Sequence, residues 1–166
     1  MGALDVITRL LRPGDEVITG LDIYGGTNRL LKYLSTNGQI KVHHVNTSDV
    51  DAVKAVLNEK TTMVLLETPT NPLMHIVDIP QICSLVHSTT PSALVAVDNT
   101  MLSPLLQNPL DLGADIHYES GTKYLSGHHD LMAGVIAVND AALGERLYFS
   151  INASGCGLSP FDSWLL

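Results

Sequence analysis

Six short runs rich in β-branched residues recur along the chain: Glu16-Val-Ile-Thr19, Ile40-Lys-Val-His-His-Val45, Thr62-Met-Val-Leu-Leu66, Ala93-Leu-Val-Ala-Val97, Ala114-Asp-Ile-His-Tyr118 and Ala133-Gly-Val-Ile-Ala-Val138. Short apolar runs bounded by turn residues read as strands. Between them lie helical patterns. Val50, Val53 and Leu57 follow Ser48 and Asp51, a capping-box-like start, and Ile79, Ile82, Cys83 and Val86 repeat at helical spacing after Asp78. Met1–Leu10, with Asp5 and Arg9 among apolar residues, reads as an amphipathic helix. Strand and helix in alternation predict right-handed crossovers, hence an α/β fold with a mostly parallel sheet flanked by helices. Pro13-Gly14, Asn37-Gly38, Asn71-Pro72 and Asn108-Pro109 mark the turns between units, without internal repeat or low-complexity linker. With 166 residues, 45% of them hydrophobic, the chain makes one domain with a real core, or part of one.

Charge and cysteine content narrow the partners. A formal net charge of −8 with no basic run argues against nucleic acid and against anionic membrane surfaces, because phosphates require clustered Lys and Arg. No apolar run approaches the roughly 20 residues that span a bilayer. The N-terminus lacks a basic leader and a small-residue cleavage pattern. Two distant cysteines, Cys83 and Cys156, form no C-x-x-C motif, which fits a reducing, cytoplasmic setting better than a disulfide scaffold or zinc site. Cys83 sits on the apolar face of a helical pattern, and Cys156 has no base beside it. His43-His44 and His128-His129 are adjacent pairs; neighbours on a strand face opposite sides, so no metal site is expected from them.

In open α/β sheets, ligands sit beyond the carboxyl ends of the strands. There the chain places Tyr24-Gly-Gly-Thr27, Glu67-Thr-Pro-Thr-Asn-Pro72, Asp98-Asn-Thr100 and Ser120-Gly-Thr-Lys123. These residues match the needs of pyridoxal 5'-phosphate: a lysine amine to link it, an acid for its pyridine nitrogen, an aromatic face for its ring and donors for its phosphate. Lys123 is the linking amine and the base for a Cα proton, a task that needs its neutral form. Asp98, at the end of an apolar strand, is costly unless a cation such as the pyridinium partners it; a helix cap or structural ion pair is the alternative. Tyr24 is placed to stack on the ring and join proton transfer. Ser120 and Thr122 offer hydroxyls to the phosphate, and Met1-Gly2 opens a helix whose amides do the same. Asn71 can donate to the cofactor's phenolic oxygen, although turn formation also explains Asn beside Pro.

Taken together, Tyr24-Gly-Gly-Thr27, Glu67-Thr-Pro-Thr-Asn-Pro72, Val97-Asp-Asn-Thr100 and Ser120-Gly-Thr-Lys-Tyr-Leu-Ser-Gly-His-His-Asp130 resemble the Cys/Met-metabolism pyridoxal-phosphate enzymes of transsulfuration. The likeness runs in order over essentially the whole chain. Its closing segment, Gly155-Cys-Gly-Leu-Ser-Pro-Phe-Asp-Ser-Trp164, resembles the fungal and plant β-eliminating members more than their γ-lyase or γ-synthase relatives. The resemblance implies the large domain of the type I aminotransferase-like fold, in a homotetramer of dimers. It implies α,β-elimination from the amino acid L-cystathionine to homocysteine, pyruvate and ammonia. By the same resemblance Lys123 is the Schiff-base lysine and Asp98 the pyridinium partner. Tyr24 is the stacking ring, Asn71 contacts the phenolic oxygen, and Ser120, Thr122 and the Met1 nitrogen are phosphate contacts. Family members also carry an N-terminal arm, which reaches the neighbouring subunit's phosphate site, and a C-terminal domain with the arginine that grips the substrate carboxylate. Residues 1–166 include neither, so a partial large domain that is catalytically silent without a full-length subunit is a second expectation.

Overall fold

All six expected strands form in the computed structural model, which describes residues 1–166. They are β1 (Glu16–Gly20), β2 (Lys41–Val45), β3 (Thr61–Glu67), β4 (Leu94–Asp98), β5 (Ile116–Ser120) and β6 (Gly134–Ala137). One sheet contains them in the order β2-β1-β3-β4-β5-β6. Every neighbouring pair is parallel except β5 and β6, which run antiparallel. The carboxyl ends of the five parallel strands therefore share one edge.

Successive strand residues face opposite sides, and the core divides accordingly. On one face Val17, Met63, Leu65, Ala96 and Ile116 pack with Leu4, Ile7, Leu31, Leu143 and Leu147. Those partners come from α1 (Gly2–Thr8), α2 (Gly25–Asn37) and α6 (Ala141–Ser154). On the other face Ile18, Val64, Leu66, Val95 and Val97 meet Val53, Ile82, Cys83 and Val86. These belong to α3 (Val50–Val56) and α4 (Ile79–Thr89). Truncating a fully buried leucine such as Leu65 in this core costs about 2–5 kcal/mol.

The ends of the helices correct part of the sequence reading. The cap of α3 is Asp49, whose carboxylate accepts from the amides of Asp51 and Ala52, whereas the Ser48–Asp51 spacing suggested a capping box one residue earlier. An aspartate reaches both first-turn amides from Asp49, which leaves Ser48 outside the helix. Asp78 caps α4 as expected, accepting from Gln81 N–H. Gly25-Gly26 opens α2, with Tyr24 as the N-cap. The helices α5 (Ser103–Leu106) and α7 (Pro160–Leu165) complete the chain. No helix is long and apolar enough to cross a membrane.

Candidate cofactor site at the carboxyl edge

The expected rim residues do gather at the edge where the parallel strands end. Asp98 closes β4 in register with Glu67 on β3 and Tyr118 on β5. Tyr24 follows β1 and caps α2, and Lys123 lies in the π-helical turn Gly121–Leu125 that follows β5. At Lys123 the backbone leaves helical geometry, with φ −96° and ψ −115°. Gly121 makes the close packing of this turn possible, since a β-carbon there would lie 2.9 Å from Ala133 Cβ. Likewise Gly26 lets the Tyr24 ring and the Met1 sulfur lie against α2, where a β-carbon would come within 2.4 Å of the ring and 2.9 Å of the sulfur.

The electrostatics of the rim are unusual. Thr100 donates twice to Asp98 Oδ1, from its N–H at 3.0 Å and its Oγ1 at 2.5 Å. Burial pushes the Asp98 carboxyl up, against the opposing pull of those Thr100 contacts, Tyr118 and the chain's amino terminus. Glu67, only 8% exposed, is raised to about 7, chiefly by burial and further by Asp98 and Asp22. Burial, followed by Asp98, also raises Glu119. The Tyr118 hydroxyl lies beside Asp98 and Thr27, and burial, followed by the charges of Asp98 and Glu67, holds its proton well above the usual tyrosine range. No Lys, Arg or His side chain forms an ion pair with Asp98 or Glu67. Two neighbouring acids, Glu67 buried and Asp98 half-buried, are costly without a side-chain cation to pair with them. A protonated pyridine nitrogen supplies the missing positive charge, so these residues fit the cofactor.

Some expected contacts are arranged differently from the sequence reading. Lys123 is exposed and in no ion pair. The Thr122 hydroxyl accepts from Ala133 N–H at 3.1 Å and donates to Ala133 C=O at 3.4 Å, which ties the lysine turn to β6. Ser120 presents its backbone N–H to Thr100 Oγ1 at 2.9 Å. Asn71 is exposed, and its own N–H donates to Glu67 Oε1 at 2.8 Å. Met1 ends on α1 with its carbonyl accepting from Asp5 N–H at 2.9 Å.

Thr100, Glu67, Tyr118 and Asp22 take part in the site although sequence reasoning assigned them no role. Thr100 couples Asp98 to the Ser120 backbone, and so β4 to β5. Asp22 Oδ2 accepts from Thr70 Oγ1 at 2.5 Å and from Leu73 N–H at 3.1 Å, fastening the loop after β1 to the loop after β3. An acid at the end of an apolar strand was the available signal for Glu67, the same signal that marked Asp98. Among the histidines, His43 Nε2 lies 2.6 Å from Glu16 Oε2 at the opposite edge, and His44 Nδ1 is 3.3 Å from Gly20 C=O. His128 and His129 lie in a loop after the lysine turn, not on a strand.

A mostly parallel sheet with a lysine turn, an aspartate and a tyrosine at its carboxyl edge carries the groups expected of a pyridoxal-phosphate-binding domain. The chain belongs to the family of Cys/Met metabolism PLP-dependent enzymes, whose sequence model matches residues 1–166. It is 70% identical over 166 residues to a cystathionine beta-lyase of Neurospora crassa, covering all of this chain and 36% of that protein. A cystathionine beta-lyase of Schizosaccharomyces pombe is 49% identical, again across the whole chain and 43% of the relative. The fold superimposes on the crystal structure of cystathionine gamma-lyase from Lactobacillus plantarum complexed with L-serine with a TM-score of 0.95 at 41% identity, covering 98% of this chain and 42% of that one. The chain thus spans less than half the length of these relatives.

Proposed function

We propose that residues 1–166 form part of the cofactor-binding large domain of a pyridoxal-phosphate-dependent carbon–sulfur lyase that cleaves L-cystathionine by α,β-elimination. The observation that carries this reading is that half-buried Asp98 and buried Glu67, neither in an ion pair with a Lys, Arg or His side chain, share one rim with Lys123, Tyr24 and Asn71. Two cystathionine beta-lyases at 70% and 49% identity support the β-elimination over the γ-lyase and γ-synthase alternatives. When bound, pyridoxal phosphate supplies an electron sink for the pair left behind when the substrate's Cα loses its proton.

The roles of the chain's own groups follow from their chemistry. Lys123 Nζ holds the cofactor, then takes the Cα proton and delivers it to the departing sulfur of homocysteine. Asp98 holds a positive charge on the ring nitrogen, and Thr100 keeps Asp98 Oδ1 in place for it. Tyr24 covers the ring face, and Asn71 orients the phenolic oxygen from its exposed turn. Ser120, Thr122 and the start of α1 at Met1 lie on the phosphate side. In Thr122 the hydroxyl already bonded to Ala133 keeps a second lone pair for a further donor, but its proton is committed.

The family-length protein is proposed to be a cytoplasmic homo-oligomer with a small amino acid as substrate and neither nucleic acid nor membrane as partner. The exposed Leu105, Leu106, Phe161 and Trp164 support burial against further protein. On its own, residues 1–166 are expected to capture cofactor and turn over little, since precise substrate clamping is a separate requirement from cofactor capture. Mixing the purified chain with pyridoxal phosphate tests the reading: a visible absorbance band from lysine-linked cofactor is expected, and its absence refutes it. Product analysis in a family-length protein then separates pyruvate with homocysteine from 2-oxobutyrate with cysteine.

A further inference from the structure

Two turns that present different cofactor-facing side chains meet at one carboxylate. Glu67 closes β3, and both of its oxygens are used: Oε2 accepts from Tyr24 N–H and Oε1 from Asn71 N–H, each at 2.8 Å. Tyr24 begins α2 after β1, and Asn71 sits in the Thr70–Pro72 turn after β3. Glu67 therefore fixes the spacing between the side chain placed to stack on a ring and the side chain placed to meet that ring's phenolic oxygen.

The choice of a carboxylate at this place calls for an explanation, because stability alone disfavours it. The side chain is buried beside Asp98 and Asp22, and no cationic side chain pairs with it. A glutamine would fill the same volume without charge. It offers only one acceptor oxygen, however, and its NH₂ group would face the second amide donor to donor. A carboxyl group has an oxygen to offer each amide, as Oε2 and Oε1 of Glu67 do. Asp22 ties the same two loops from its own side through Thr70 and Leu73, so the loops remain joined without Glu67. What Glu67 adds is the relative placement of Tyr24 and Asn71.

We infer that Glu67 is a positioning residue for the cofactor, a two-armed clamp that holds Tyr24 and Asn71 at the spacing of the pyridine ring. The inference rests on the cofactor reading above and deepens it. It is tested with the full chain in wild-type, Glu67→Gln and Glu16→Gln forms. Each is titrated with pyridoxal phosphate, and the lysine-linked absorbance, the induced circular dichroism of the bound ring and the melting temperature are recorded. Backbone amide exchange is followed at Tyr24 and Asn71 in the free protein.

Glu67→Gln is expected to bind cofactor at least about tenfold more weakly, a loss of roughly 1.4 kcal/mol. It should also show a smaller induced signal and faster exchange at one or both amides, while melting no lower than wild type. Glu16→Gln, altered at the opposite edge, is expected to melt lower and bind cofactor as wild type does. Wild-type affinity and induced signal in Glu67→Gln would overturn the inference alone. Parallel losses of stability and affinity in both variants would do so as well, since they would mark Glu67 as merely structural. A wild-type chain that forms no lysine-linked band would instead refute the cofactor reading, and this inference with it.

Discussion

Glu16 and Glu67 are both buried glutamates at the ends of strands in one sheet, and they are treated in opposite ways. At the amino edge, Glu16 is surrounded by donors: Asn58 Nδ2 at 2.9 Å, His43 Nε2 at 2.6 Å and Lys41 Nζ at 3.4 Å. Asn58 first, then His43, hold its carboxyl down to about 2. At the carboxyl edge, Glu67 has two amides but like charges for neighbours, and its carboxyl rises to about 7. A carboxylate that serves the fold is given its countercharges by the chain. Asp98 and Glu67 at the rim pair with no Lys, Arg or His side chain, which suits the cationic ring proposed for this edge.

The contrast can be broken most sharply at the amino edge. Glu16→Ala leaves the Asn58 amide and His43 ring without their acceptor, and denaturant unfolding should show a loss of about 2 kcal/mol with cofactor capture intact. A matching loss of capture would mean that the two edges are not independent. At the other edge Gly26→Ala should displace the Tyr24 ring, since the new β-carbon would lie 2.4 Å from it. Cofactor affinity is expected to fall roughly tenfold with the melting temperature nearly unchanged, as Ala is the better helix former.

The pH dependence of stability differs in sign between the two glutamates. Because the Glu16 carboxyl is lowered from 4.5 to about 2, its stabilisation is complete above pH 4.5 and is lost as pH falls through about 2. Glu67 is raised from 4.5 to about 7, so the folded state holds its proton longer than the unfolded chain; its contribution is full below pH 4.5 and disappears as pH rises through about 7. Buried His117, lowered by desolvation, pulls the other way near neutrality, because the unfolded chain binds its proton more readily. The difference between wild-type and Glu67→Gln stability profiles isolates the Glu67 share, which should fall from pH 4.5 to 7. A flat difference would contradict the raised carboxyl. The smallest expected effect is at His117, whose Nε2 is buried without a hydrogen-bond partner and lies 3.7 Å from Glu119. His117→Leu should stabilise the chain by about 1 kcal/mol in the same unfolding assay.

The sheet was legible because strand patterns are local: each β-branched run sits where a strand formed, shifted by a residue or two at its ends. Asp78 as a cap and Cys83 as core were legible for the same reason. The helix start at Tyr24-Gly-Gly-Thr27 was not legible because two glycines are poor helix formers, yet Gly26 is needed at the first turn of α2 for the tyrosine to lie across it. The rim residues were legible as a set, since each follows a strand and the parallel topology gathers strand ends. Their couplings were not. That Thr100 joins Asp98 to Ser120, or that Glu67 joins Tyr24 to Asn71, depends on side chains from elements distant in sequence meeting across the sheet edge. The Thr122 hydroxyl, taken up by Ala133, illustrates the same limit, because only the antiparallel return of β6 brings Ala133 there.

The central claim is that this edge holds pyridoxal phosphate through one particular amine. The chain has five lysines, Lys32, Lys41, Lys54, Lys60 and Lys123. Borohydride reduction of the chain mixed with stoichiometric pyridoxal phosphate, followed by peptide mapping, should place the phosphopyridoxyl group on Lys123 and lose it in Lys123→Ala. Label spread evenly over the other four lysines, or unchanged in Lys123→Ala, would contradict the account.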